Sequence, residues 1–128
     1  MPEVLAIIPA RGGSKSVPRK NIKLLNGKPM VYYSIEACMK SKYITRFVVS
    51  TEDAEIKEIC KSFGAEVIDR PQELATDTAK TAPVMVHAAL ELEKKGYKPD
   101  YITLIQPTSP FRTGVFIDKA FEFFFSQN

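Results

Sequence analysis

Soft metal ligands are scarce in this chain. Its 128 residues include two cysteines and one histidine, and no CxxC pair or histidine cluster. A zinc site or a disulfide framework is therefore not expected. Cys38 and Cys60 both fall in apolar helical patterns and read as buried free thiols. No apolar stretch approaches the ~20 residues that span a bilayer. The N-terminus lacks the basic start, apolar run and small-residue cleavage site of a secretory signal. A soluble cytoplasmic protein without a membrane partner is expected. Neither GxxxxGK[ST] nor GxGxxG occurs, which sets aside a Walker A loop and a dehydrogenase-type dinucleotide fold. Repeats, low-complexity tracts and linkers are also missing, so residues 1–128 read as a single domain of common size.

Positive charge, in contrast, is concentrated. Between Arg11 and Lys28 lie six basic residues and no acid. The remaining chain holds 12 of the 18 basic residues against all 15 acids, so the net charge of +3 arises in one short segment. Such a patch suits a compact anionic ligand better than a long nucleic-acid track.

Apolar periodicity alternates between two kinds of element. Val4 to Ile8 is a near-continuous apolar run that Pro9 is expected to stop, as in a strand buried on both faces. Further strands are expected at Phe47–Ser50, Glu66–Asp69 and Tyr101–Ile105. Pro29 can open a helix reaching about Ser41. Ile56, Ile59, Cys60 and Phe63 line one face of a second helix, with Gly64 as its C-cap. Met85, Ala88, Ala89 and Leu92 mark a third, ending at Gly96. Ile117, Ala120, Phe121 and Phe124 mark the core stripe of a fourth, leaving Phe116, Phe123 and Phe125 outside it. That apolar outer face calls for a covering surface or for packing within the domain.

Strands alternating with helices indicate an α/β fold with a mostly parallel sheet. Ligands of such sheets bind beyond the carboxyl ends of the strands. The segments there are ARGGSK, STED, RPQELATD and IQPTSPFR, all rich in charged, hydroxyl or amide groups. The connections at the opposite end look like ordinary turns.

The first of these segments carries the sharpest signal. Gly12 and Gly13 let a backbone approach a ligand closely, and amides in such a turn can form an anion-binding concavity. Arg11, Lys15 and Lys20 supply charge, while Ser14 and Asn21 supply hydrogen bonds. A triphosphate needs these together.

The run IIPARGGSKSVPRKNIKLLNGKP resembles the opening of the acylneuraminate cytidylyltransferases, also called CMP-sialic acid synthetases, with their near relatives that use legionaminic or pseudaminic acid. The resemblance continues through VSTEDAEI, GAEVIDRPQELATDTAKT and LIQPTSPFRTG, covering nearly all of the chain. It implies a Rossmann-like nucleotidyltransferase fold, three-layered and lacking the family's C-terminal portion. It also implies transfer of CMP from CTP to the anomeric hydroxyl of a nine-carbon acidic sugar, with Mg²⁺ assistance and release of pyrophosphate.

By that resemblance Arg11 and Lys20 take the catalytic charge-stabilising role. Arg11, Gly13, Ser14, Lys15, Lys20, Asn21, Arg70, Ala79 and Thr81 bind the nucleotide, the last two near the cytosine. Gln106 meets the sugar. Arg70 read from its neighbours alone pairs with Asp69 or Asp77. Kdo cytidylyltransferases carry a metal-holding acid in the last rim turn, where this chain has Thr108 and Ser109. Asp53 and Asp77 read as caps, so the Mg²⁺ ligands are expected outside this chain. The segment that joins the family's homodimer is expected to be missing too. A non-catalytic CTP-binding fragment is therefore the alternative to an active enzyme. His87 reads as a structural histidine, and a nucleic-acid partner is not expected.

Overall fold

The computed structural model describes residues 2–12, 24–25, 27–74, 81–106 and 114–127. Strands β1 (Val4–Pro9), β4 (Arg46–Thr51), β5 (Glu66–Asp69) and β6 (Tyr101–Leu104) form one parallel sheet in the order β5-β4-β1-β6. A separate antiparallel hairpin pairs β2 (Leu24–Leu25) with β3 (Lys28–Pro29). The helices are α1 (Met30–Lys40), α2 (Ala54–Ser62), α3 (Thr81–Glu93) and α4 (Gly114–Ser126). A short 3₁₀ turn covers Gln72–Leu74.

β1 explains why its run is apolar without alternation. Successive side chains point to opposite faces, and both faces are covered. Ala6 and Ile8 pack with Val31 and Ile35 of α1, Ile56 and Cys60 of α2, and Ile117 of α4. Leu5 and Ile7 pack with Ala88 and Leu92 of α3. The result is three layers, as the resemblance implies. α1 and α2 connect β1, β4 and β5 stepwise in one direction. α3 then carries the chain back to β6 beyond β1, and right-handed crossovers place a helix on the opposite face when the direction reverses.

Several boundaries differ from expectation for physical reasons. β1 runs through Pro9, because the ladder resumes at the Ala10 N–H, which donates to Ser50 O at 2.9 Å. Pro29 stands before α1 and Met30 is its first residue. Gly64 does end α2, at φ +86°, with its N–H donating to Lys61 O. The β2–β3 hairpin has no counterpart in the periodicity. In α4 the packed face is Ile117, Phe121 and Phe125: Phe125 stacks on Phe121 at 6.0 Å between ring centroids and lies 5.5 Å from Tyr101 and 5.8 Å from Tyr43. Ala120, expected inside, is exposed, and Phe124 is 47% exposed. Phe123 points outward as expected. Ser41 Oγ (2.6 Å) and the Lys42 N–H (3.1 Å), at the end of α1, both donate to Asp118 and tie α4 down.

The candidate nucleotide-binding rim

All four parallel strands end on one rim, and the strand order reverses around β1. A ligand of an α/β sheet is expected at such a reversal, outside the strand ends. Arg11 and Gly12 follow β1 there. The turn after β4 lies beside them, Arg70 follows β5, and Gln106 lies just beyond β6.

The turn after β4 is built from side chains that hold backbone groups. Asp53 is the N-cap of α2: its Oδ1 accepts from the Ile56 N–H at 2.9 Å, satisfying one of the helix's unpaired donors. The Asp53 N–H in turn donates to the buried Thr51 Oγ1 at 3.2 Å. Glu52 reaches across to β1, where the Gly12 N–H donates to Oε1 at 2.7 Å and Oε2 at 3.1 Å. Asp53 also explains the glycine. A Cβ on Gly12 would stand 2.5 Å from Asp53 Oδ2. Gly12 is not in the left-handed region, so its requirement is space for Asp53, not a turn conformation.

Arg70 faces inward and is 6% exposed. Its Nη2 donates to Ser50 O at 2.8 Å, Nε to Ser50 Oγ at 3.1 Å and Nη1 to Leu74 O at 3.3 Å. It therefore joins the ends of β4 and β5 to the 3₁₀ turn. Burial pushes the Arg70 guanidinium below its ordinary value; Glu52 opposes that shift and Arg11 adds to it. Arg11, Glu52 and Arg70 thus form one electrostatic group. Neither reading from the sequence anticipated the inward pose. Asp69 is paired with Lys57 at 2.9 Å instead, and Asp77 lies outside the described residues.

Of the other residues assigned to the site, Arg11 is half-buried on the rim and Gln106 is half-buried beyond β6. Thr81 is the first residue of α3. Gly13, Ser14, Lys15, Lys20, Asn21 and Ala79 lie outside the described residues. Glu52 was missed altogether. Its bond to Gly12 spans 40 residues and leaves no local spacing to read. His87 sits in α3 with Nε2 3.6 Å from Glu91, away from the rim segments. Cys38 and Cys60 are buried, and burial pushes both thiols up to about 12. Among the described residues no group of three or more His, Cys, Asp or Glu side chains could hold a metal ion, and no helix is long and apolar enough to cross a membrane.

A parallel sheet covered by helices on both faces, with charged groups gathered beyond the carboxyl end of its reversal strand, is a Rossmann-like α/β domain. The chain belongs to the cytidylyltransferase family, whose profile matches residues 5–128. It is 39% identical over 120 residues to an N-acylneuraminate cytidylyltransferase of Escherichia coli, covering 92% of this chain and 27% of the relative. It is 38% identical over 120 residues to the CMP-N,N'-diacetyllegionaminic acid synthase of Legionella pneumophila, covering 93% and 52%. Among solved structures, a CMP:2-keto-3-deoxy-manno-octonic acid synthetase complexed with CTP superposes with a TM-score of 0.75 at 20% identity, covering 94% of this chain and 46% of that one. The chain thus spans about half the length, or less, of these relatives.

Proposed function

We propose that this chain supplies the nucleotide-binding half of a soluble cytoplasmic enzyme that transfers CMP from CTP to a nonulosonic acid. The sugar's anomeric hydroxyl attacks the α-phosphorus and the bond to the β-phosphate oxygen breaks. Pyrophosphate leaves, and the hydroxyl proton passes to solvent. The observation that carries this reading is the basic segment beginning at Arg11, which leaves the strand at the reversal point in a chain whose relatives bear cytidylyltransferase names.

Phosphoryl-type transfer depends mostly on positioning and charge stabilisation. Arg11, Lys15 and Lys20 are the groups proposed to neutralise the triphosphate, with Gly13, Ser14 and Asn21 donating hydrogen bonds. Ala79 and Thr81 are proposed near the base, and Gln106 near the sugar, where a neutral amide can bond hydroxyls or a carboxylate. Arg70 is proposed to contact the nucleotide too, from a guanidinium braced through three of its five N–H donors at Ser50 and Leu74.

Mg²⁺ is the proposed cofactor, with its ligands outside residues 1–128. The described rim does not fit it: Glu52 is engaged by the Gly12 N–H and Asp53 by the cap of α2. No step is therefore assigned to the ion here. The test is pyrophosphate release from CTP with Mg²⁺ and a panel of nonulosonic acids, alongside CTP binding. Arg11→Ala should weaken CTP binding by tenfold or more, as expected for losing one charged phosphate contact worth about 1.5–3 kcal/mol. Unchanged binding in that variant overturns the phosphate assignment. CTP binding without pyrophosphate release is the outcome expected of a nucleotide-binding half whose metal ligands lie elsewhere, and release by residues 1–128 alone overturns that placement of the Mg²⁺ ligands.

A further inference from the structure

We infer that Glu52 is a positioning residue for the start of the phosphate-binding segment, fixing the Arg11–Gly12 peptide as the chain leaves β1. This rests on the proposed function for the identity of the ligand. The geometry behind it stands independently.

Glu52 is held on a fixed base. Thr51 before it is buried in β4, and Asp53 after it is locked into the cap of α2. From that base both carboxylate oxygens accept the one Gly12 N–H, at 2.7 and 3.1 Å. The next residue grips Gly12 from another side, since Asp53 Oδ2 fills the space a Cβ would need. Two consecutive residues of the β4–α2 turn thus immobilise the last described position before residues 13–23. Backbone amides bind an anion only when their dipoles are pre-aimed. Holding the Gly12 N–H toward Glu52 fixes the Arg11–Gly12 peptide plane, and with it the backbone from which the Arg11 side chain departs.

The charge of Glu52 contributes separately. It favours the charged form of the buried Arg70, while Arg11 opposes that form. A carboxylate beside the buried Arg70 offsets part of the cost of keeping that guanidinium charged.

The experiment compares the wild-type protein with Glu52→Ala and Glu52→Gln. Each is held well below its own thermal midpoint, so that lost stability does not register as lost binding. The probes are CTP and inorganic tripolyphosphate, and amide hydrogen exchange at Gly12 is followed by NMR. Glu52→Ala is expected to weaken both ligands by about tenfold and to deprotect the Gly12 amide, the scale of one charge-assisted hydrogen bond. Glu52→Gln, whose amide oxygen still accepts, is expected to remain within about threefold of wild type and keep Gly12 protected. Wild-type affinity in Glu52→Ala overturns the inference. So does tighter binding there, which would make Glu52 a competitor of the phosphate. Failure of the wild-type protein to bind either probe counts against the proposed function alone, and Gly12 exchange then decides the role of Glu52.

Discussion

Replacing Gly12 by alanine tests how the rim is built. The added Cβ would stand 2.5 Å from Asp53 Oδ2 and 3.0 Å from its Cβ and Cγ, so something must move. Forcing an extra methyl into a packed site costs about 1–3 kcal/mol. If Asp53 turns away, α2 also loses the cap bond to Ile56 N, a further ~1 kcal/mol. If the backbone at residue 12 moves instead, the bond to Glu52 stretches, which costs about as much. Against this, alanine restricts the unfolded chain and returns roughly 0.4–1 kcal/mol, since the native φ at this position is one alanine accepts. The net loss is about 2 kcal/mol, equivalent to a drop in Tm of roughly 6–10 °C for a domain of this size. Thermal and urea unfolding followed by circular dichroism would measure it. A double-mutant cycle with Asp53→Ala isolates the contact. Asp53→Ala alone should cost about 1 kcal/mol, and the double variant should be less destabilised than the sum by ~1–2 kcal/mol. Strict additivity, or an unchanged Tm in Gly12→Ala, would refute the claim that Asp53 is why residue 12 is glycine.

Three other outcomes follow from the same structure. Arg70→Met keeps the buried stem but removes the hydrogen bonds to Ser50 and Leu74. It should cost about 2–3 kcal/mol in urea titration, the scale of breaking hydrogen bonds to a charged group, and Arg70→Lys should recover part of that; equal stability of wild type and Arg70→Met would refute the brace. Arg46 donates to Glu66 through Nε at 2.9 Å and Nη2 at 2.8 Å, which holds the Glu66 carboxyl below its ordinary value. With the folded value below the unfolded one, the pair's contribution is present above about pH 4.3 and is lost as pH falls through the folded value. Acid titration of stability should accordingly be shallower in Glu66→Gln, by under ~1 kcal/mol for a pair this exposed. With both thiols near 12, about one in 10⁴ is ionised at pH 8, and the thiolate is the reactive form. Ellman's reagent should therefore modify Cys38 and Cys60 only as fast as the protein opens, and rapid labelling of the native protein would contradict their burial.

What could be read ahead of the structure was whatever repeats locally. β1, the face of α2, Ala88 and Leu92 of α3, the Asp53 cap and the buried cysteines all follow from spacing and propensity, whereas buried Val84 lay outside the expected α3 face. The fourth helix did not, because Phe121, Phe123, Phe124 and Phe125 make it apolar on nearly every side, and periodicity then cannot choose a face. Tyr43 and Tyr101 choose it instead, Tyr43 lying tilted against Phe125 and Tyr101 meeting it edge-on. The β2–β3 hairpin escaped because two-residue strands carry no period. Its signal was the Asn26-Gly27 dipeptide, a strong turn former; Gly27 has φ +79°. Arg70 and Glu52 escaped for a different reason. Their roles are set by partners 20 and 40 residues away, and nothing local announces that Arg70 is buried or that Glu52 reaches across to β1.

The two ends of the segment 13–23 are anchored very unequally. Upstream is β1, flanked by β4 and β6, with no exposed side chain from Val4 to Ile8. Downstream is a hairpin of two residues per strand, with Leu24 exposed. Interior strands open only with global unfolding, whereas isolated short hairpins are marginal and open locally. The same eleven-residue segment is thus tied to the slowest-opening part of the molecule at one end and to one of the fastest at the other. A ligand that bridges it would slow the hairpin, and would slow β1 as well, because binding to the folded state raises the free energy of the global opening through which β1 exchanges.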